Sequence, residues 1–70
     1  MKPLDPVAEF LAFKRNARAH AAYWLRHGEL HPEVHFVIRD RLEDFIRRVQ
    51  AAGPGVRAKL LAAIPPEGTA

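Results

Sequence analysis

Three histidines recur at a four-residue interval, His27, His31 and His35, and this H-x3-H-x3-H spacing is the most metal-like pattern in the chain. On a helix, imidazoles four residues apart lie on one face and can share a zinc or nickel ion. Here the interval crosses Gly28 and Pro32, so only His31 and His35 can share a helix, and Glu29 and Glu33 are the carboxylates at hand for a fourth position. Each histidine also has an ordinary role: His27 complements the dipole of a last helical turn, His31 caps the next helix, and His35 borders its apolar face. A metal site at His27, His31 and His35 therefore ranks third among the functional readings, and no cofactor is expected.

A second set of reactive types, Glu9, Asn16, His20, Tyr23 and His27, falls on one flank of the first predicted helix. Carboxylate and imidazole on one face can exchange protons with a substrate. Glu9 and His20 are separated by about 16 Å of helix axis, however, too far to cooperate within one chain. Nucleophilic chemistry lacks material, because the chain has no cysteine and no serine and its only hydroxyls are Tyr23 and Thr69. Gly53, Pro54 and Gly55 do not have the glycine and lysine spacing of a phosphate-binding loop. The expectation is a non-enzymatic protein with no catalytic residues.

Basic residues form the remaining cluster. Lys14, Arg15, Arg18 and Arg26 lie on the first helix with only Glu9 against them, in a chain whose 11 Lys+Arg and 8 Asp+Glu give a net charge of +3. A positive stripe is what backbone phosphates require. A small DNA- or RNA-binding regulator using this helix is accordingly the second reading. No helix-turn-helix, zinc finger or aromatic stacking platform accompanies the charge, and Lys14 and Arg18 can equally drape their stems over the apolar stripe.

The elements that would carry these residues are helical throughout. Asp5 and Pro6 form a start signal, a capping carboxylate followed by the imino acid favoured at the first helical position. Val7, Phe10, Phe13, Ala17, Ala21, Trp24 and Leu25 then recur on one face, and Gly28 supplies a left-handed end. The first helix is read as 6–27, about 22 residues or roughly 33 Å. A short link turns the chain back into a second helix, 32–52, with Pro32 at its first position and Val34, Ile38, Leu42, Phe45, Ile46, Val49 and Ala52 inward. On its outer side, Arg39 with Glu43, Glu43 with Arg47, and Asp44 with Arg48 are four apart, each pair adding about 0.2–0.5 kcal/mol to a solvated helix face. After Gly53 a short helix, 56–64, carries Val56, Leu60, Ala63 and Ile64 on one side, and Pro65 and Pro66 stop it. Residues 65–70 read as a flexible tail. No stretch alternates as a strand does. The fold class is all-α, one domain over 1–64, an antiparallel hairpin of two long helices plus a short C-terminal helix.

Size makes this hairpin marginal. A domain this short buries only about 60% of the surface its unfolded chain exposes, and there is no disulfide to help. Two long helices and a short one leave large side chains uncovered, at on the order of 2 kcal/mol for each wet aromatic ring. Phe10, Phe13, Ala17, Trp24 and Phe45 are therefore the expected oligomer interface, closed by a second copy in a homodimer of four-helix type. Leu11, Phe36 and Val37 lie off these stripes and form a second apolar patch for a further copy or another protein. The leading reading is a non-enzymatic helical protein-interaction module that acts as a homo-oligomer. The N-terminus lacks a signal-peptide core, and no run approaches the ~20 apolar residues of a span, so a cytoplasmic protein without membrane contact is expected. The scarcity of Asn, Gln and Met beside abundant Arg fits a heat-adapted source or a GC-rich genome.

Overall fold

The start signal at Asp5 operates as its chemistry implies. Asp5 Oδ1 accepts the N–H of Val7 at 3.2 Å, and Pro6 occupies the first position of the helix that follows. The structure, a computed structural model, describes residues 5–64 and is all-helical among them. Its elements are α1 (Pro6–Ala12), α2 (Arg15–His27), α3 (Phe36–Ala52) and α4 (Pro54–Ala63).

The single helix expected over 6–27 is in fact two. Phe13, at φ −61° and ψ 144°, leaves the helical region, and Lys14 follows in extended backbone before α2 begins. Neither glycine nor proline stands at this break. Its cause is tertiary: the Phe13 ring meets Phe45 edge-on at 5.2 Å, while Phe10 lies stacked beside the same ring at 6.4 Å. Burying two phenylalanines contributes about 1.5–3 kcal/mol each, which offsets the few backbone bonds a helix end forgoes. A straight 33 Å rod would also overhang α3, whose 17 residues span about 25 Å. Broken at Phe13, α1 instead packs against both α3 and α4.

The short link expected between the long helices is longer, running over 28–35. Gly28 ends α2 in the left-handed region at φ 82°, with its N–H on the carbonyl of Trp24 at 2.8 Å. The link then runs back along the helix it has just left, for the His31 ring lies 6.0 Å from that of His20 and 4.9 Å from that of Tyr23. Pro32 does not open a helix. The Glu33 N–H donates to His31 Nδ1 at 3.0 Å and the Val34 N–H to the His31 carbonyl at 3.1 Å, closing a local turn that competes with helix formation. Val34 is buried, and α3 starts only at Phe36, four residues later than the proline suggested. α4 begins at Pro54 rather than Val56 and packs against all three other helices. Pro65, Pro66 and the expected tail over 65–70 lie outside the described residues.

The inward faces are those the periodicity indicates. Phe10, Phe13, Ala17, Ala21, Trp24, Leu25, Val34, Leu42, Phe45, Val49 and Leu60 form the core, with Val7, Ile38, Ile46, Val56 and Ile64 packed around it. Ala52 and Ala63 are exposed. The five side chains expected at an oligomer interface, Phe10, Phe13, Ala17, Trp24 and Phe45, are each at most 8% exposed within one chain. The break at Phe13 and the position of α4 supply the extra covering surfaces, so a second copy is not what encloses them. No helix among the described residues is long and apolar enough to cross a membrane.

Candidate functional site

Because Ile38, Leu42, Phe45 and Val49 point α3 inward, its 100° steps turn Phe36 and Val37 outward. They are 72% and 67% exposed, adjacent, and in the first turn. His35 precedes them as the N-cap, its Nδ1 accepting the Val37 N–H at 3.1 Å and its ring stacked on Phe36 at 4.7 Å. One turn on, Asp40 and Arg41 are exposed and carry opposite charges. Leu11 on α1 and Leu61 on α4 are the other large apolar side chains left outside among the described residues.

The polar flank of α2 forms a second feature. Asn16, His20 and Tyr23 line an open depression of about 380 Å³ with His31 and Glu33 from the link. Tyr23 lies between two imidazoles, His27 at 4.3 Å and His31 at 4.9 Å. The expected metal trio does not assemble: His27 and His31 flank Tyr23, while His35 caps α3 beside Phe36. With α3 starting at Phe36, His31 and His35 no longer share a helix, and their spacing loses the meaning it had. Among the described residues no group of three or more histidines or carboxylates could hold a metal ion. Glu9, expected on this flank, belongs elsewhere because the break at Phe13 resets the helical phase.

Glu9 is tied to α3. Arg48 Nη2 donates to Glu9 Oε2 and to Asp44 Oδ2, both at 2.7 Å, and Arg48 Nε reaches the Asp44 carbonyl at 3.4 Å. The Glu9 side chain is only 12% exposed, and its Oε1 is buried without a hydrogen-bond partner among the described residues. The hydrogen bond to Glu9, opposed by burial and aided by the charges of Glu9 and Asp44, holds the Arg48 guanidinium above its ordinary value. This network fastens α1 to α3. Arg47 pairs with Asp44 at 3.5 Å, whereas the expected Arg39–Glu43 and Glu43–Arg47 pairs do not form among the described residues.

The basic residues divide into two groups. Lys14 precedes α2, and Arg15 and Arg18 occupy its first turn; all three are exposed, and among the described residues their side chains form no hydrogen bond or ion pair. Arg26 is in the last turn, about 12 Å or more along the axis from Arg18, and does not extend the same cluster. Cations at a helix N-terminus oppose the macrodipole, whereas Arg26 at the other end complements it.

Arg57 carries a role no local pattern announces. From α4 its guanidinium donates to the Leu25 carbonyl at 3.1 Å and lies 5.4 Å above the Trp24 ring, closing the end of α2. No family model, curated protein or solved structure matches this chain.

Proposed function

We propose that this chain is a non-enzymatic helical interaction module that associates with a second copy of itself through the first turn of α3. The observation that carries this reading is the adjacent exposure of Phe36 and Val37, at 72% and 67%, while Phe10, Phe13, Phe45 and Trp24 are all buried. The next turn favours self-association. Under a two-fold axis one patch meets itself, so Asp40 of one copy can face Arg41 of the other, and the reverse, forming two opposite-charge pairs. Phe36 and Val37 are 72% and 67% exposed, so burying the remainder in both copies contributes about 4–8 kcal/mol, against an association cost of about 4–15 kcal/mol. The dimer is accordingly weak and concentration-dependent.

Sedimentation across a dilution series tests this. The wild type moves from one chain toward two as concentration rises, and Phe36→Asp stays single with unchanged helicity. A wild type that is monomeric throughout, or a Phe36→Asp variant that associates equally, contradicts the proposal.

A second reading, polyanion binding, is favoured by the unpaired state of Lys14, Arg15 and Arg18. Three phosphate contacts on duplex DNA give a log-affinity against log-salt slope of about −3. The triple glutamine variant at these positions abolishes that slope. No binding of the wild type at low salt, or unaltered binding by the variant, disposes of this reading.

A further inference from the structure

We infer that the link over 28–35 is an acid-sensitive clasp, in which His31 and His35 hold the link and the first turn of α3 only while their imidazoles are neutral. Both histidines accept a backbone N–H at Nδ1, His31 from Glu33 at 3.0 Å and His35 from Val37 at 3.1 Å. A nitrogen that accepts has its lone pair free, so each ring carries its proton on Nε2. Protonation at Nδ1 turns that acceptor into a donor facing another donor. Both hydrogen bonds are lost, and each becomes a repulsive contact. Histidine is the side chain whose charge ordinarily changes between pH 5 and 8.

The surroundings reinforce the change. His35 stands at the N-terminus of α3, where the helix dipole disfavours a cation, and the first turn of α3 has no acidic residue. Its ring faces Phe36, and Arg39, one turn along, is a further positive charge on the same helix. His31 faces His20 and Tyr23 of α2, with His27 on the far side of Tyr23. The His20 and His31 rings lie 6.0 Å apart, and Glu33 is the one carboxylate lining that depression.

Folding that requires the neutral imidazole contributes stability above the titration range and loses it as pH falls. The two hydrogen bonds flank Val34, the buried residue of the link, so they hold the same short stretch of chain. His35 is also stacked on Phe36 and caps the amide of Val37, so acid loosens the turn that carries both exposed apolar side chains. As regulation of self-association, this consequence rests on the function proposed above; the clasp itself does not.

The test is amide exchange on the full-length wild-type chain, diluted until sedimentation shows a single chain, which keeps the reading independent of the proposed contact and leaves Phe36 in place beside His35. Protection factors at Glu33 and Val37, corrected for intrinsic exchange, fall about tenfold between pH 8 and pH 5, and the two fall together. In His31→Asn/His35→Asn the side-chain oxygen accepts the same amides and does not titrate, so protection at pH 5 equals that at pH 8. Constant wild-type protection over this range overturns the clasp. So does an equal loss in the asparagine variant, which assigns the acid response to His20 or Glu33. Sedimentation of the wild type at both pH values then reads the link to association separately.

Discussion

Replacing Phe45 by alanine removes the ring on which Phe10 and Phe13 both close. Phe45 has no exposed surface, and its two aromatic neighbours lie at 6.4 Å and 5.2 Å, so no water-filled route lets the site collapse cheaply. Phenylalanine-to-alanine changes in a core cost about 3–5 kcal/mol, and the loss of two ring pairs places this one in the upper half. At about 0.05–0.15 kcal/mol per residue, a chain of 70 residues holds only about 3.5–10 kcal/mol in total. Phe45→Ala therefore consumes much or all of the margin. Phe45→Leu keeps most of the volume and forfeits chiefly the ring geometry, which leaves a folded variant to measure, at about 1–3 kcal/mol. Urea unfolding followed by the emission of Trp24, 5% exposed in the fold, reports both, and the Phe36→Asp background excludes any contribution from association. Because the core closes inside one chain, the midpoint is the same at every protein concentration. A midpoint that climbs with concentration, or a Phe45→Ala cost below about 1 kcal/mol, refutes this account of the core.

Gly53→Ala destabilises more than Gly28→Ala. Neither new Cβ meets an atom within 4 Å, but Gly53 at φ 95°, ψ 177° occupies a region that is essentially glycine's alone, for about 1–3 kcal/mol, against about 1 kcal/mol for the left-handed turn at Gly28. Equal midpoints in urea would refute the ordering. Arg48→Met retains the apolar stem and strands the Glu9 carboxylate, and since Arg48 is one-third exposed the loss is about 1–3 kcal/mol, below that of a fully buried pair. Glu9→Gln in the same chain recovers part of it; a double-mutant cycle with no coupling contradicts the fastening of α1 to α3. Lys14→Gln/Arg15→Gln/Arg18→Gln raises the melting temperature at low salt, since each cation at the start of α2 costs the helix about 0.3–1 kcal/mol, and the gain fades as salt screens it. A lowered melting temperature would show that these side chains support the fold.

The inward faces were legible because they depend on residue type and a 3.6 period alone: Phe10, Trp24, Leu42 and Leu60 are buried where the pattern puts them. Capping chemistry located the start at Asp5 and the ends at Gly28 and Gly53. The break at Phe13 was not legible, since no local breaker marks it and its cause is a ring on α3 some thirty residues away. Pro32 misled for a related reason. It is a sound start signal, but His31 takes the Glu33 amide first and the chain turns instead. At the candidate site, Phe36 and Val37 stand out in the sequence as apolar residues off the main stripe, whereas the histidine spacing pointed to the wrong partners. His31 meets His20 because the link runs back along α2, and no interval in the sequence encodes that path. Arg48 with Glu9 and Arg57 with Leu25 are likewise contacts of the folded chain, without a local signature.

Self-association through the first turn of α3, as proposed, brings Phe36 and Val37 of one copy against the other. The measurement that reaches it most directly is an isotope-filtered NOE experiment on a mixture of labelled and unlabelled chains, in which every observed contact crosses between molecules. Cross-chain contacts are expected at Phe36 and Val37, accompanied by none at Phe13, Trp24 or Phe45. Cross-chain contacts at those buried aromatics, or none at Phe36 under conditions where sedimentation shows a dimer, would contradict it.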